Sequence, residues 1–409
     1  MTRLTEAKKR ARSARKRPPK YGEDIDLEIF DVPGPGVADL KLEDLSERDR
    51  EVVSQVGFSP EEQGVAGSYA QFDNESILAD VMIRPEGLEV LPTREALSRY
   101  DWLHDYLWNA VAVDTDKFTA ASELEEYNGY YIRAKAGAKI DMPVQSCLVV
   151  KRGHSMQNVH NIIIAEEGSE LHVITGCATP GVMERSLHLG ISEFYVKRNA
   201  KLTFTMVHKW NEQMDVRPRS AIVVEEGGTY ISSYAILSTA RTVQTYPKVT
   251  LSGRRAHADL YSVVYGRSDS KYDIGGALML AAPGANGKVV SRTIASDRSD
   301  IMARGNLVGS VSGVKGRLEC NGLILSEKAR IAALPMLEAL ADGVELSHEA
   351  TVGKVGADQL NYLMSRGMTE EEATSLIISG FIRLKTPGLP AMLQRSIDDA
   401  VKMTLEKGL

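Results

Sequence analysis

From about residue 127 to 352 the chain alternates short apolar, β-branched runs with small polar turns, and no long helical period interrupts them. Typical runs are Ile162-Ile163-Ile164, Ile222-Val223-Val224 and Val249-Thr250-Leu251. The turns share one form: a turn residue, a small residue, a polar residue, then an apolar one that opens a strand. This form begins at Gly137, Gly168, Asn199, Gly227, Arg255, Asn286, Lys315, Lys328 and Gly343. By subtraction the starts lie 31, 31, 28, 28, 31, 29, 13 and 15 residues apart. One such unit cannot bury its own apolar face, so a period near 30 that halves near the end predicts stacked coils of strands. The fold class expected is mainly β, a β-helix or similar solenoid. A β-sandwich also fits short strands with regular turns, but an aromatic content of 6% favours the narrow interior of a solenoid.

The flanks have a different texture. Residues 26–126 form a mixed, largely helical region. Apolar residues at helix-like spacing over 40–57, with Ser46 as cap, predict one helix. Thr93-Arg94-Glu95-Ala96 opens another, and Trp102, Leu103, Tyr106, Leu107 and Ala110 predict a third over 100–111. Beyond 353, residues 358–366 predict a helix ended by Gly367. Thr369 and Glu372 form a capping box for the next helix, expected to stop at Gly380. Pro387 and Pro390 mark a linker before an amphipathic helix over 392–405. Four regions follow: a basic flexible tail (1–25), the mixed region (26–126), the solenoid (127–352) and a helical C-terminal domain (353–409).

Charge and composition narrow the chemistry. The 409 residues carry a net charge of −6, which argues against wholesale nucleic-acid binding. The first 20 residues hold nine Lys/Arg against Glu6, about +8, which leaves about −14 for the remainder. No apolar run reaches the ~18–20 residues of a membrane span, and no apolar segment of a secretory signal follows the basic N-terminus. A cytoplasmic protein with reduced thiols is expected. Three cysteines, Cys147, Cys177 and Cys320, are too few for a disulfide scaffold, and without a CxxC pair a zinc ribbon or ferredoxin loop is excluded. There is no P-loop, HExxH or GxSxG motif.

Metal ligands, if any, must therefore be assembled by the fold. Cys320 and His348 are separated by 28 residues, close to one period. In a solenoid such residues lie ~5–10 Å apart along the stack. Thiolate, imidazole and the neighbouring Glu349 carboxylate could together hold iron or an iron–sulfur cluster. The alternatives are a turn histidine and a buried cysteine.

Several segments in order resemble the SufB/SufD family of iron–sulfur cluster assembly proteins. They are Ser347-His348-Glu349-Ala350-Thr351-Val352-Gly353, Asp358-Gln359-Leu360-Asn361-Tyr362-Leu363-Met364-Ser365-Arg366-Gly367, Glu371-Glu372-Ala373 and Ile378-Ser379-Gly380-Phe381. Upstream stand Leu318-Glu319-Cys320-Asn321 and the segment Thr175-Gly176-Cys177-Ala178-Thr179-Pro180, followed by Ser186-Leu187-His188. The likeness covers roughly 90–409 and looks like a short, archaeal-type SufB.

The resemblance implies a right-handed parallel β-helix core with helical flanks. It implies a non-enzymatic scaffold for nascent iron–sulfur clusters, working with a SufC-like ABC-type ATPase that docks on the C-terminal helices. Tyr362, Met364, Ile378 and Phe381 are the partner-binding residues expected there. Two β-helices would pair, as a homodimer or with a paralogous subunit, gathering Cys320, His348 and Glu349 from each as cluster ligands. Cys177 would relay sulfur through the interior, and Cys147 has no role assigned. A sulfur donor and apo-protein acceptors are implied partners. Some family complexes associate with flavin, for which no motif is visible. The competing readings are a SufD-like brace for a cluster-bearing paralogue and a β-helix polysaccharide enzyme.

Overall fold

A computed structural model describes residues 3–32, 45–62, 64–81, 86–181, 183–236 and 238–382. It is mainly β, a solenoid of about eight turns with small helical ends. Two sheets face each other across one apolar interior. The first runs through Gly67–Phe72, Val144–Val149, Glu170–Ala178, Lys201–Lys209, Thr229–Ile236, His257–Gly266, Asn286–Ala295, Lys315–Ile324 and Glu345–Lys354, all parallel. The antiparallel strand Glu75–Asp80 covers its N-terminal edge. The second sheet includes Tyr130–Ala134, Met156–Ala165, Ser186–Val196, Arg219–Val224, Lys248–Leu251, Lys271–Leu280, Asp300–Gly309 and Arg330–Ala339.

The repeat has a local cause. Gly137, Gly168, Asn199, Gly227, Arg255, Gly284, Gly313 and Gly343 all have positive φ. Each of the last seven stands two residues before a strand of the first sheet. Glycine takes this left-handed conformation without a Cβ penalty, and asparagine tolerates it. The turns also bond to one another. Amides of Gly137, Gly168, Asn199, Gly227 and Arg255 donate to the carbonyls of Glu167, Arg198, Glu226, Arg254 and Pro283 in the next coil. The ladder thus continues through the corners.

These positions correct the expected period. By subtraction they are 31, 31, 28, 28, 29, 29 and 30 residues apart, so the repeat does not halve. The motif at Asn286 and Lys315 is displaced by two residues from the left-handed positions Gly284 and Gly313. The motif at Lys328 precedes Arg330–Ala339, a strand of the second sheet.

The N-terminal region departs further from expectation. Within the basic segment, which the sequence allows to be flexible or helical, Arg3–Ala14 is a helix, with Ala11 and Ala14 buried in a cluster that includes Ala120. Arg10 pairs with Asp114 to hold it. Residues 100–111 form only a short 3-10 turn, Asp101–Asp105. The physical reason lies in Glu193, fully buried on the outer face of the second sheet. Its carboxylate accepts the amides of Trp108 (2.6 Å), Ala110 (2.6 Å) and Val111 (3.0 Å). Those N–H groups are thereby withdrawn from any helix ladder, and Trp108 has φ +55°.

At the other end, Ala357–Ser365 is helical and Gly367 has φ +93°. The capping box is present: the Thr369 amide donates to Glu372 Oε2 at 2.8 Å, and the Glu372 amide to Thr369 Oγ1 at 3.2 Å. The helix Glu370–Ile382 passes through Gly380 instead of stopping there. It lies on the outer side of the first sheet, where Ile378 and Ile382 pack with Val263, Tyr265 and Ile294. The expected helix over 392–405 and its proline linker lie outside the described residues.

Candidate functional site

Cys320 sits on Lys315–Ile324 and His348 on the neighbouring Glu345–Lys354. The register pairs Leu318 with His348, Glu319 with Glu349 and Cys320 with Ala350. Side chains alternate faces along a strand. Leu318 and Cys320 point into the interior cluster, and His348 follows Leu318. A strand spacing of about 4.8 Å with a two-residue offset of about 6.6 Å sets the Cys320 and His348 backbones about 8 Å apart. Cys320 is 2% exposed, while His348 is half-buried and its Nε2 has no hydrogen-bond partner among the described residues.

Glu349 does not join them within one chain. It points to the outer face, where Arg317 Nη2 holds it at 2.8 Å. Among the described residues no three His, Cys, Asp or Glu side chains converge as a metal site.

This end of the solenoid is open. Glu345–Lys354 pairs only with Lys315–Ile324, and Arg330–Ala339 only with Asp300–Gly309, among the described residues. The last coil exposes Leu334, Met336, Leu337, Leu340 and Val352 among the described residues.

Burial pushes the Cys320 thiol up and Glu319 adds to this, while the Ser291 hydroxyl works the other way. Cys177 is fully buried and its thiol is raised well above the usual range, by burial and then by Cys147. Cys147 is also raised by burial, but it packs on the outer side of the sheet with Val53 and Val56. Cys177 and Cys320 share the interior cluster, and Cys147 does not.

Around Cys177 the interior is unexpectedly polar. His208 is its register partner, and the Thr179 amide donates to the Lys209 carbonyl, which sets Thr179 beside Trp210. His188 faces this group from the second sheet, with ring centroids 5.0 Å from Trp210 and 6.4 Å from His208. Burial lowers His188 to about 3, and burial with His188 nearby lowers His208 well below its usual value. Tyr234 Oη and His208 Nδ1 are 3.0 Å apart. Thr179 Oγ1, His208 Nε2 and Trp210 Nε1 are buried without partners among the described residues. None of His208, Trp210 or Tyr234 was expected as a functional residue. Lone aromatics and histidines on separate strands carry no motif, and only a distance from Cys177 close to one or two repeats (31, 33 and 57 residues by subtraction) could have signalled them.

From this group a row of interior side chains runs along the axis in register: Thr175, Met206, Tyr234, Ser262, Ser291, Cys320. The five inter-strand steps span about 24 Å. Tyr234, Ser262 and Ser291 line an interior cavity of 70 Å³, room for about two waters.

The expected partner residues divide into two pairs. Tyr362 is 59% exposed and Met364 is 41% exposed. Ile378 is buried, and Phe381 is half-buried with its carbonyl accepting from Arg292 Nη1 at 2.6 Å. No helix among the described residues is long and apolar enough to cross a membrane.

Residues 148–381 match the family described as SUF system FeS cluster assembly, SufBD core domain. An iron–sulfur cluster assembly SufBD family protein of Methanothermobacter thermautotrophicus (strain Delta H) is 42% identical over 98% of this chain and 99% of its own. One from Archaeoglobus fulgidus is 44% identical over 87% of this chain and 95% of its own. The iron–sulfur cluster assembly protein SufB of Bacillus subtilis (strain 168) is 27% identical over 95% and 86%. These matches place this chain in the SufBD family of iron–sulfur cluster assembly proteins.

Proposed function

We propose that this protein is a scaffold, not an enzyme, on which iron and sulfur combine into a nascent cluster held between two solenoids. The carrying observation is that Cys320 and His348 face the same way at the open end of the stack. The cluster is cargo. One thiol and one imidazole per chain make an incomplete shell, and a second copy across the free edges doubles it. The exposed Leu334, Met336 and Leu340 supply apolar surface for that contact. Glu349, on the outer face of its strand, joins as an oxygen ligand only across the pairing, to the set held by the other copy. Such mixed ligation suits a cluster that must be passed on, because carboxylate and imidazole exchange more readily than a full thiolate set.

Sulfur enters at Cys177. A buried thiol is protonated at neutral pH, and the thiolate is the reactive form. Neutral His208 beside it can accept a hydrogen bond from the thiol, but burial weakens it as a base, so the thiolate forms only when an incoming donor changes this environment. The 24 Å to Cys320 exceeds any direct thiol-to-thiol transfer, and the Thr, Met, Tyr and Ser side chains between them offer no thiol to take over a persulfide sulfur. What passes along the row is therefore sulfide, freed from the Cys177 persulfide as two equivalents of an external thiol are oxidised to a disulfide. ATP hydrolysis belongs to an ABC-type partner that docks on Tyr362 and Met364, with Leu376 adding exposed apolar surface on the following helix. Ile378 and Phe381 instead anchor that helix to the solenoid.

The test is anaerobic reconstitution with iron and sulfide, read by visible absorbance and iron content. Wild-type protein is expected to load, and Cys320→Ala to lose the chromophore. Full loading of Cys320→Ala overturns the ligand assignment. Light scattering of the loaded protein distinguishes a homodimer from a subunit that needs a paralogue.

A further inference from the structure

A cleft of 450 Å³ lies on the outer face of the second sheet, away from the interior that holds Cys177 and Cys320. Its floor is the sheet itself, with Ala221, Ala277 and Met279. One wall is the N-terminal strap at Lys20 and Tyr21, and the other is the segment 110–116. Gly22 fixes the strap: its amide donates to Asp273 Oδ2 at 3.0 Å, and its Cα lies so close to Gln244 that an added Cβ would meet Gln244 Cγ at 2.5 Å.

Three polar groups in the lining lack partners among the described residues: Gln244 Oε1, Tyr246 Oη and Asn306 Oδ1. Gln244 is only 4% exposed. A buried polar atom without a partner costs free energy that a bound donor would recover. The charged groups nearby are unevenly satisfied. Arg219 is neutralised by Asp116 at 2.8 Å. Lys248 and Lys20 have no carboxylate at ion-pair distance among the described residues, and Lys20 stands over the Tyr21 ring at 5.0 Å. The volume falls in the usual range for small-molecule sites.

We propose that this cleft binds a nucleoside monophosphate. The apolar floor takes the face of a planar base, the three unpartnered groups take its amino and ribose hydroxyl hydrogens, and Lys20 and Lys248 take the phosphate. A sugar phosphate would leave the floor of Ala221, Ala277 and Met279 uncovered. The assignment is independent of the scaffold reading, because none of these residues touches the interior.

Calorimetric titration of the full chain with AMP and GMP tests it, with ribose 5-phosphate and inorganic phosphate at equal ionic strength alongside. Saturable 1:1 binding of a nucleotide, roughly tenfold or more tighter than ribose 5-phosphate, is expected. Lys248→Glu and Asn306→Leu should each weaken it by roughly tenfold, while Lys315→Glu, on the other sheet, leaves it unchanged. Lys248 is exposed, so its variant folds and keeps the test decisive. No saturation by about 1 mM nucleotide, equal binding of phosphate alone, or unchanged affinity in Lys248→Glu overturns the proposal.

Discussion

His348 stands opposite Leu318 in the parallel ladder, so its imidazole turns inward with the Cys320 thiol. Glu349, its chain neighbour, turns outward to Arg317. Two adjacent residues therefore serve two different surfaces, and their substitution should have separable effects. His348→Ala should reduce iron–sulfide loading as severely as Cys320→Ala. Glu349→Gln should leave unfolding free energy within about 0.5 kcal/mol of wild type, because the Arg317 pair is exposed, and should speed release of the assembled cluster. Equal loading of wild type and His348→Ala, measured by iron content, contradicts the shared interior face.

The buried imidazoles predict an acid-labile fold. Burial holds His188 and His208 below their usual values in the folded protein, so the unfolded chain takes up protons first as pH falls below about 6.5. Their contribution to stability is complete above that pH and is lost toward about 3 for His188. Two protons give a slope of up to about 2.7 kcal/mol per pH unit between these limits. Urea unfolding at a series of pH values should show it, and His188→Gln should shallow the slope by about 1.4 kcal/mol per unit. An unchanged slope removes His188 from the account.

The thiols should differ in reactivity. All three are raised by burial, but only Cys320 lies at the open end of the stack. Alkylation of the native protein near pH 8 should label Cys320 first and leave Cys147 and Cys177 until unfolding. Mass spectrometry of timed quenches would show the order, and early labelling of Cys147 would be inconsistent with its packing.

Glu193 is the clasp between the N-terminal region and the solenoid. Glu193→Gln puts an amide donor where three backbone donors converge, and should cost about 2–4 kcal/mol of stability. Trp108, whose own amide it holds, gives the readout: its fluorescence should shift before global unfolding. Coincident transitions would mean that the clasp is not locally separable.

Like charges on the last coil should dissolve the proposed pairing. Met336→Glu with Leu340→Glu puts two carboxylates on exposed apolar positions and should turn a dimer into a monomer by light scattering, with the unfolding midpoint nearly unchanged. A dimer that survives both places the contact elsewhere.

Much of this was legible in the chain. All but one of the left-handed corner residues stand out as Gly or Asn before a strand, Arg255 being the exception, and the capping box at Thr369 and Glu372 is local chemistry that needs no tertiary context. The displaced motifs at Asn286 and Lys315 arose because small polar residues also occupy the strand starts. Residues 100–111 misled because their aromatic spacing does match a helix, while the carboxylate that unwinds the segment is over 80 residues away in sequence. That Cys320 and His348 fall on neighbouring strands was legible from the period, while their two-residue offset in register was not. The opposed aspects of His348 and Glu349 follow from strand alternation, which needed the register. The His188, His208 and Trp210 group was illegible because it spans two sheets.

The corner-to-corner hydrogen bonds carry one more consequence. Each coil is closed by its own left-handed residue and strand-paired to the next, with a corner bond added from Gly137 through Arg255 and again at Gly313, so the stack is a ruler graduated in strand spacings. The interval between Cys177 and Cys320 can change only by whole rungs. Duplicating or deleting one complete coil between them would move Cys177 relative to the open end by about 4.8 Å while preserving the interior row. A partial insertion would instead bulge outward at a corner and leave that interval unchanged.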